Sequence, residues 1–324
     1  MIGHQNTHNT HFIRWNALIL ALSLVLTACG QASTAGSAPT SSNAGAAPTA
    51  TAATLTPVLA GSEMVVGQNR LPIGVVKSGT PINDPNLKLH LRFFYLDAPE
   101  AEQTKVRSEA DAVYRGQGLP FGLYVAYPTF DKAGTWGIEA QMSLGGSPPQ
   151  ASRFRIDVLE KPSTPAVGSP AIASKNLTLK DVPNLEQLTS DGKPDTDLYQ
   201  MTIADAIAAK KPFLVAFSTP GFCQTAVCGP NLEVIKKLKG ELKGQVNFIH
   251  VEVYPYPFDE SASQHKLVPT MAEWKLQSEP WTFLVDGQGI IQAKYEGGIT
   301  FAELEPALKQ LAAGQPILPA SAAP

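Results

Sequence analysis

Lys211-Pro-Phe-Leu-Val-Ala-Phe-Ser-Thr-Pro-Gly-Phe-Cys223-Gln-Thr-Ala-Val-Cys228-Gly-Pro230 is the stretch on which the fold turns. The apolar run Phe213 to Phe217 is short enough for a strand buried on both faces. Thr219-Pro220-Gly221 signals a turn, and two cysteines follow with four residues between them. Beyond them Leu232, Val234, Ile235, Leu238 and Leu242 recur at helical spacing, opposite Glu233, Lys236, Lys237, Lys239 and Glu241. The two thiols therefore belong to a strand-to-helix turn. Unpaired backbone N–H groups and the helix dipole favour a thiolate there.

A cysteine pair in that place is either a redox couple or an inert staple, and soft metals are a further use of thiols. The loop it closes is tiny, so as a constraint on the unfolded chain the bridge contributes little. Five residues along a regular helix put two side chains roughly 140° apart. Cys223 must then lie in the loop before the helix if it is to bond Cys228.

The 324 residues suffice for two domains. A net charge of −3 with 16% charged residues provides no basic field for nucleic acid. Arg14 precedes the apolar segment Ala17 to Val25, too short to span a bilayer but suited to a signal peptide. The following Leu26-Thr27-Ala28-Cys29 resembles a bacterial lipobox, which implies a lipidated Cys29 as mature N-terminus on the extracytoplasmic side of the cell membrane. Of three cysteines, Cys223 and Cys228 remain as the one pair, in a compartment where a disulfide persists.

In chain order, 1–28 reads as the lipoprotein signal peptide and 29–60, rich in Ala, Ser, Thr, Gly and Pro, as a flexible tether. Residues 61–160 alternate with period two, as in Leu87 to Tyr95, Trp136 to Met142 and Phe154 to Val158. That pattern predicts a half-buried antiparallel β-sandwich. Phe130-Asp-Lys-Ala-Gly-Thr-Trp136 resembles a turn of immunoglobulin-like (Ig-like) modules. His90 and Met142 read as structural, and the sandwich as a spacer or docking module. Residues 161–195 form a linker that can lie along the second domain, 196–313 that domain, and 314–324 a disordered tail.

Within the second domain Thr202 caps a short helix with Asp205 in its first turn. Gln245 to Val253 is a strand parallel to the first. An aromatic loop, Tyr254-Pro-Tyr-Pro-Phe258, precedes a short helix at Met271 to Leu276. Trp281 to Val285 and Ile290 to Tyr295 form a hairpin, and Thr300 with Glu303 makes a capping box for a last helix, Phe301 to Leu311. The carboxyl ends of the parallel strands bring Cys223, Cys228, the Tyr254–His265 loop and Pro280–Trp281 to one edge.

This order resembles the thioredoxin-like fold over roughly Asp197 to Leu311. The chain is thus expected to be multidomain, an antiparallel Ig-like β-sandwich followed by an α/β thioredoxin-like domain. The resemblance implies a cis proline facing the cysteines, at Pro280. Counting from the strand, it makes Cys223 the attacking and Cys228 the resolving thiol. The chain departs from the family in three ways: four residues separate the cysteines, Asn231 stands where the second cysteine of Cys228-Gly-Pro would be, and Ala216 replaces the buried acid. No charged residue lies between Lys211 and Glu233, so activation of the thiolate is assigned to the helix end alone.

The implied function is a membrane-tethered thiol–disulfide oxidoreductase without a cofactor, acting on extracytoplasmic proteins. Pro280, Trp281 and Phe222 would hold the partner chain. One alternative resembles copper carriers of the Sco type, with Cys223, Cys228 and His265 on Cu(I). Another is a non-catalytic lipoprotein with a structural bridge. Thr225-Ala-Val-Cys228 echoes a peroxiredoxin motif, but no arginine stands near it.

Overall fold

The computed structural model describes residues 54–317 other than 260, 262, 263 and 265. The signal peptide, Cys29, most of the tether, His265 and the end of the tail lie outside the described residues.

Two antiparallel-dominated sheets, beside a two-stranded ribbon of Gly67–Gln68 and Thr129–Phe130, form the N-terminal half. One runs Leu55–Leu59, Leu71–Lys77, Leu123–Ala126, Val113–Tyr114. The other runs Met64–Val65, Gln150–Leu159, Gly134–Ser143, Lys88–Tyr95, Ser108–Asp111. The alternation works as read: Leu89, Leu91, Phe93 and Trp136, Ile138, Ala140, Met142 point inward, where they meet Leu71, Ile73 and Val75 of the facing sheet in one core. Met64 and Met142 are core residues, and His90 lies at the surface with Nδ1 2.8 Å from Asp111 Oδ1. In the turn before Trp136, Gly134 takes φ 125° and the indole Nε1 donates to Lys132 O at 3.0 Å.

One boundary moves. Leu55–Leu59 falls in the stretch read as tether, yet it pairs antiparallel with Leu71–Lys77. Its five residues include Thr56 and Pro57, and only Leu55 is fully buried, so its pattern is too short to separate from the preceding low-complexity chain.

The C-terminal half is a four-stranded sheet in the order Asn247–Glu252, Phe213–Ser218, Trp281–Val285, Ile291–Glu296. The first pair is parallel and the other two antiparallel. Helices Ile203–Ala208, Cys228–Glu241, Pro269–Glu273 and Phe301–Ala312 complete it. All six residues of Phe213–Ser218 are buried, because apolar clusters cover the sheet on both faces. The cysteine helix contributes Leu232, Ile235 and Leu238 to one cluster; Trp274, Phe217 and Phe283 anchor the other. The linker runs along this half, with Gly168 N donating to Ile291 O and Ala171 N to Gly289 O.

The expected cap of the last helix does not form. Thr300 makes no side-chain capping bond, and Glu303 instead faces the sandwich. Arg70 Nε and Nη2 donate to its two oxygens at 2.6 and 2.9 Å, and Tyr127 Oη donates at 2.9 Å. A tertiary partner with full charge has outcompeted a local motif. Glu63 with Lys294 makes a second ion pair between the halves. The sandwich also meets the cysteine turn: Leu119, Leu123 and Val125 pack against Val227, the residue before Cys228.

Candidate functional site

The strand Phe213–Ser218 ends in a tight turn. Gly221 N donates to Ser190 Oγ at 2.9 Å, and a Cβ on Gly221 would stand 2.9 Å from Ser190 Cβ. Cys223 follows in the loop, and Ala226, at φ 57°, closes the turn as its N–H donates to Cys223 O. The helix begins at Cys228, with Val227 as a cap that offers no side-chain bond. Geometry thus meets the requirement of the five-residue spacing, with one cysteine before the helix and the other its first residue. They are joined by a disulfide with Cα atoms 6.0 Å apart.

The two sulfurs differ. Cys228 is fully buried, whereas Cys223 is partly exposed. The first helix N–H, that of Cys228, donates to Cys223 Sγ at 3.3 Å, and Thr225 Oγ1 lies 3.3 Å from the same sulfur. One orphan helix donor thus points at the exposed sulfur, a place that favours a thiolate. Asn231 turns away from it: its side chain bonds Gly297 O and Ile299 N at 2.9 Å each, which fixes the helix to the sheet.

The Glu279–Pro280 peptide is cis, as is Tyr256–Pro257 in the aromatic loop. Glu279 was not among the expected site residues, and it reaches the pair: its Oε2 stands 2.6 Å from Cys228 Sγ. Burial first, and the charge of Glu252 second, push its carboxyl up to about 7. Glu252 is itself buried, accepts from Ser190 N and Oγ at 2.8 Å each, and is also shifted upward by desolvation. Ala216, where the strand pairs with His250 and Thr282, brings no acid to the pair, and the Glu279 carboxyl reaches it from elsewhere in the chain. A charge count between Lys211 and Glu233 could not find it, since 51 positions separate Glu279 from Cys228. The one available signal was its place before Pro280, on the edge the topology assigns to the cysteines.

The other expected contacts divide. Phe222 is partly exposed beside Cys223. Trp281, expected to give apolar contact, is only 3% exposed, stacked on Phe283 with its Nε1 bonded to Ser278 Oγ at 3.1 Å. A strand residue of a sheet covered on both faces has no surface to offer. Pro280 is buried as well, and Tyr256 is exposed on the neighbouring loop.

His250 lies within its strand, fully buried, and does not join the cysteines. Tyr199 Oη is 2.7 Å from Nδ1, and Nε2 is 3.2 Å from Ser218 O. Nε2 is nearer still to Ser218 Oγ, at 2.9 Å, a hydroxyl that can donate or accept. Burial holds this imidazole down to about 4. Cys223, Cys228 and Glu279 are the described residues whose ligand atoms lie close enough to surround a metal ion. In the disulfide form both sulfurs are committed to each other, so this state offers no thiolate ligand. The copper set expected with His265 involves a residue outside the described ones.

Residues 199–312 match the family model described as Thioredoxin-like domain, so the C-terminal half is a thioredoxin-like domain that follows a β-rich N-terminal half. No curated protein matches the chain. Among solved structures, a DUF4426 family protein from Pseudomonas aeruginosa PAO1 aligns over 34% of this chain and 91% of its own, at 11% identity and a TM-score of 0.23.

Proposed function

We propose that the protein is an extracytoplasmic thiol–disulfide oxidoreductase, tethered to the cell membrane through a lipidated Cys29 and acting on proteins that carry thiols or disulfides. A thioredoxin-like domain with a cysteine pair at a helix N-terminus supports a redox role in general terms. The observation that carries the finer reading is the asymmetry of the pair. Cys223 is reachable and receives the helix N–H, while Cys228 is shut beneath it.

In the reducing direction, the Cys223 thiolate attacks one sulfur of a partner disulfide. A mixed disulfide forms, and the other partner sulfur leaves as thiolate. Cys228 then attacks Cys223 Sγ, the internal disulfide closes, and the first partner sulfur leaves. Two electrons pass from the protein to the partner, and the oxidising direction is the same sequence reversed. Partner chains would enter over Phe222 and the Tyr254–Phe258 loop.

The test is a trapping experiment on the full chain in its native membrane. Cys228→Ser should accumulate mixed disulfides that reductant removes, and Cys223→Ser should accumulate none. A Cys228→Ser variant that captures nothing while its Cys223 thiol is free would overturn the reading.

A further inference from the structure

We propose that Ser190 is a positioning residue for the attacking thiol: residues 188–197 form a strap that holds the turn at 219–222, so that Cys223 stays over the N–H that opens the cysteine helix. This inference rests on the thiol–disulfide reading above and deepens it, because it names what fixes the loop half of that site.

The loop from strand to helix is made of two turns, with Phe222 N donating to Thr219 O and Ala226 N to Cys223 O at 3.2 Å each. Every residue from 221 to 226 is exposed or half-buried, so packing does little to hold the loop. Ser190 reaches it from the segment that joins the two domains. Its Oγ accepts from Gly221 N at 2.9 Å and lies 3.4 Å from Thr219 Oγ1. Gly221 does not take a positive φ, yet a Cβ there would stand 2.9 Å from Ser190 Cβ and 3.1 Å from Ser190 O. Glycine is required at 221 by the close passage of the strap, not by the turn.

The hydroxyl is aimed by its own partner. Ser190 N and Oγ both donate to Glu252 Oε2 at 2.8 Å, and a hydroxyl has one hydrogen. With that hydrogen spent, its lone pairs face Gly221. The strap is tied to the cysteine helix as well. Lys236 Nζ donates to Asp191 Oδ2 and Lys193 O at 3.0 Å each, and Lys239 Nζ to Asp195 Oδ1 at 3.0 Å and Asp197 Oδ2 at 2.6 Å. One segment thus joins the turn before Cys223, the helix that begins at Cys228 and the strand that carries Glu252. The distance these ties set is the 3.3 Å from Cys228 N to Cys223 Sγ. A thiolate gains from the helix end only while that distance holds, because the effect falls off within the first turn.

The test reads attack by Cys223 on 5,5′-dithiobis(2-nitrobenzoate), in the reduced full chain, as the phase that Cys223→Ser lacks. In Ser190→Ala the midpoint of its pH profile should move by about one pH unit toward the ordinary thiol range of about 8.5. The thiolate fraction at pH 7 then falls about tenfold, and its greater basicity returns about threefold. The net rate should be about threefold slower at pH 7 and about threefold faster at pH 10. Gly221→Ala, which presses on the same contact from the other side, should show the same crossover. Ser190→Thr, which keeps the hydroxyl, should stay nearer the wild type. Of the charged groups around the strap, Glu252, Asp191 and Lys236, only Glu252 loses a bond in Ser190→Ala, and Gly221→Ala removes no donor to it. A crossover in Ser190→Ala alone therefore points to Glu252 and overturns the strap. So does a wild-type profile in both variants, or a gain in rate at every pH, as for a merely loosened loop; each leaves the oxidoreductase reading standing. A wild-type trace no different from that of Cys223→Ser overturns that reading itself. Should neither variant fold, amide exchange of the wild type decides: protection of the N–H of exposed Gly221 is expected, and exchange at the rate of an open loop contradicts the strap.

Discussion

At the scale of single residues, His250 and Glu279 titrate in opposite senses. His250 is held down to about 4 by burial, from an ordinary 6.5. Its contribution to stability is complete above pH 6.5 and is lost as pH falls through about 4, on the order of 3 kcal/mol in all. Glu279 is held up to about 7 from 4.5, so its contribution is complete below pH 4.5 and is lost as pH rises through 7. Between pH 4.5 and 6.5 the two slopes oppose each other. Glu252, also shifted upward by burial, adds to the Glu279 slope, so Glu279→Gln should turn the pH dependence of the denaturant midpoints of the oxidised protein toward a climb over this range. A variant curve parallel to the wild type would show that the folded state does not hold the Glu279 proton. At the same scale Cys223 should be alkylated first by limiting reagent, because Cys228 is buried; preferential labelling of Cys228 would reverse the roles. The cysteines were legible in the sequence because strand, turn and helix are contiguous around them. Glu279 was not, because no local pattern marks a carboxylate that arrives beside a sulfur 51 positions away.

At the scale of elements, two helix starts that look alike behave differently. Thr202 and Asp205 form the reciprocal capping box that their spacing predicts. Thr300 and Glu303 have a similar spacing and form none; Thr300 Oγ1 is buried with no hydrogen-bond partner among the described residues. Thr202→Ala should cost about 1 kcal/mol by denaturant unfolding. Thr300→Val, which removes an unsatisfied hydroxyl, should be neutral or stabilising; a loss as large as that of Thr202→Ala would mean the hydroxyl is bonded after all. Element type and order were readable because period two gives way to helical spacing at defined turns. Strand Leu55–Leu59 escaped because five residues bearing a proline beside a low-complexity run carry too few alternations.

At the scale of the whole molecule, the two halves are joined by charge buried between them. Arg70 is enclosed, donates to Glu303, and also bonds Glu296 O and Gly298 O at 2.8 and 2.7 Å. Truncating one member strands the other, so Arg70→Ala should cost about 3–5 kcal/mol. Arg70→Met with Glu303→Gln should recover much of that loss in the same unfolding measurement. If the double variant is no better than the single, the pair does not act as a unit. Sequence patterning could not reveal this join, which spans 233 positions and uses a glutamate already claimed by a local motif. The sandwich wall against Val227 also ties partner access at Cys223 to the join, so the same Arg70 variant should alter exchange rates at the site. The redox reading depends on whether the Cys223–Cys228 bridge exchanges with thiols. A redox titration of the reduced and oxidised full chain against a thiol buffer measures that directly. The account predicts a reversible two-electron transition between about −270 and −120 mV. A bridge that resists reduction below about −300 mV, the range of structural disulfides, would contradict it.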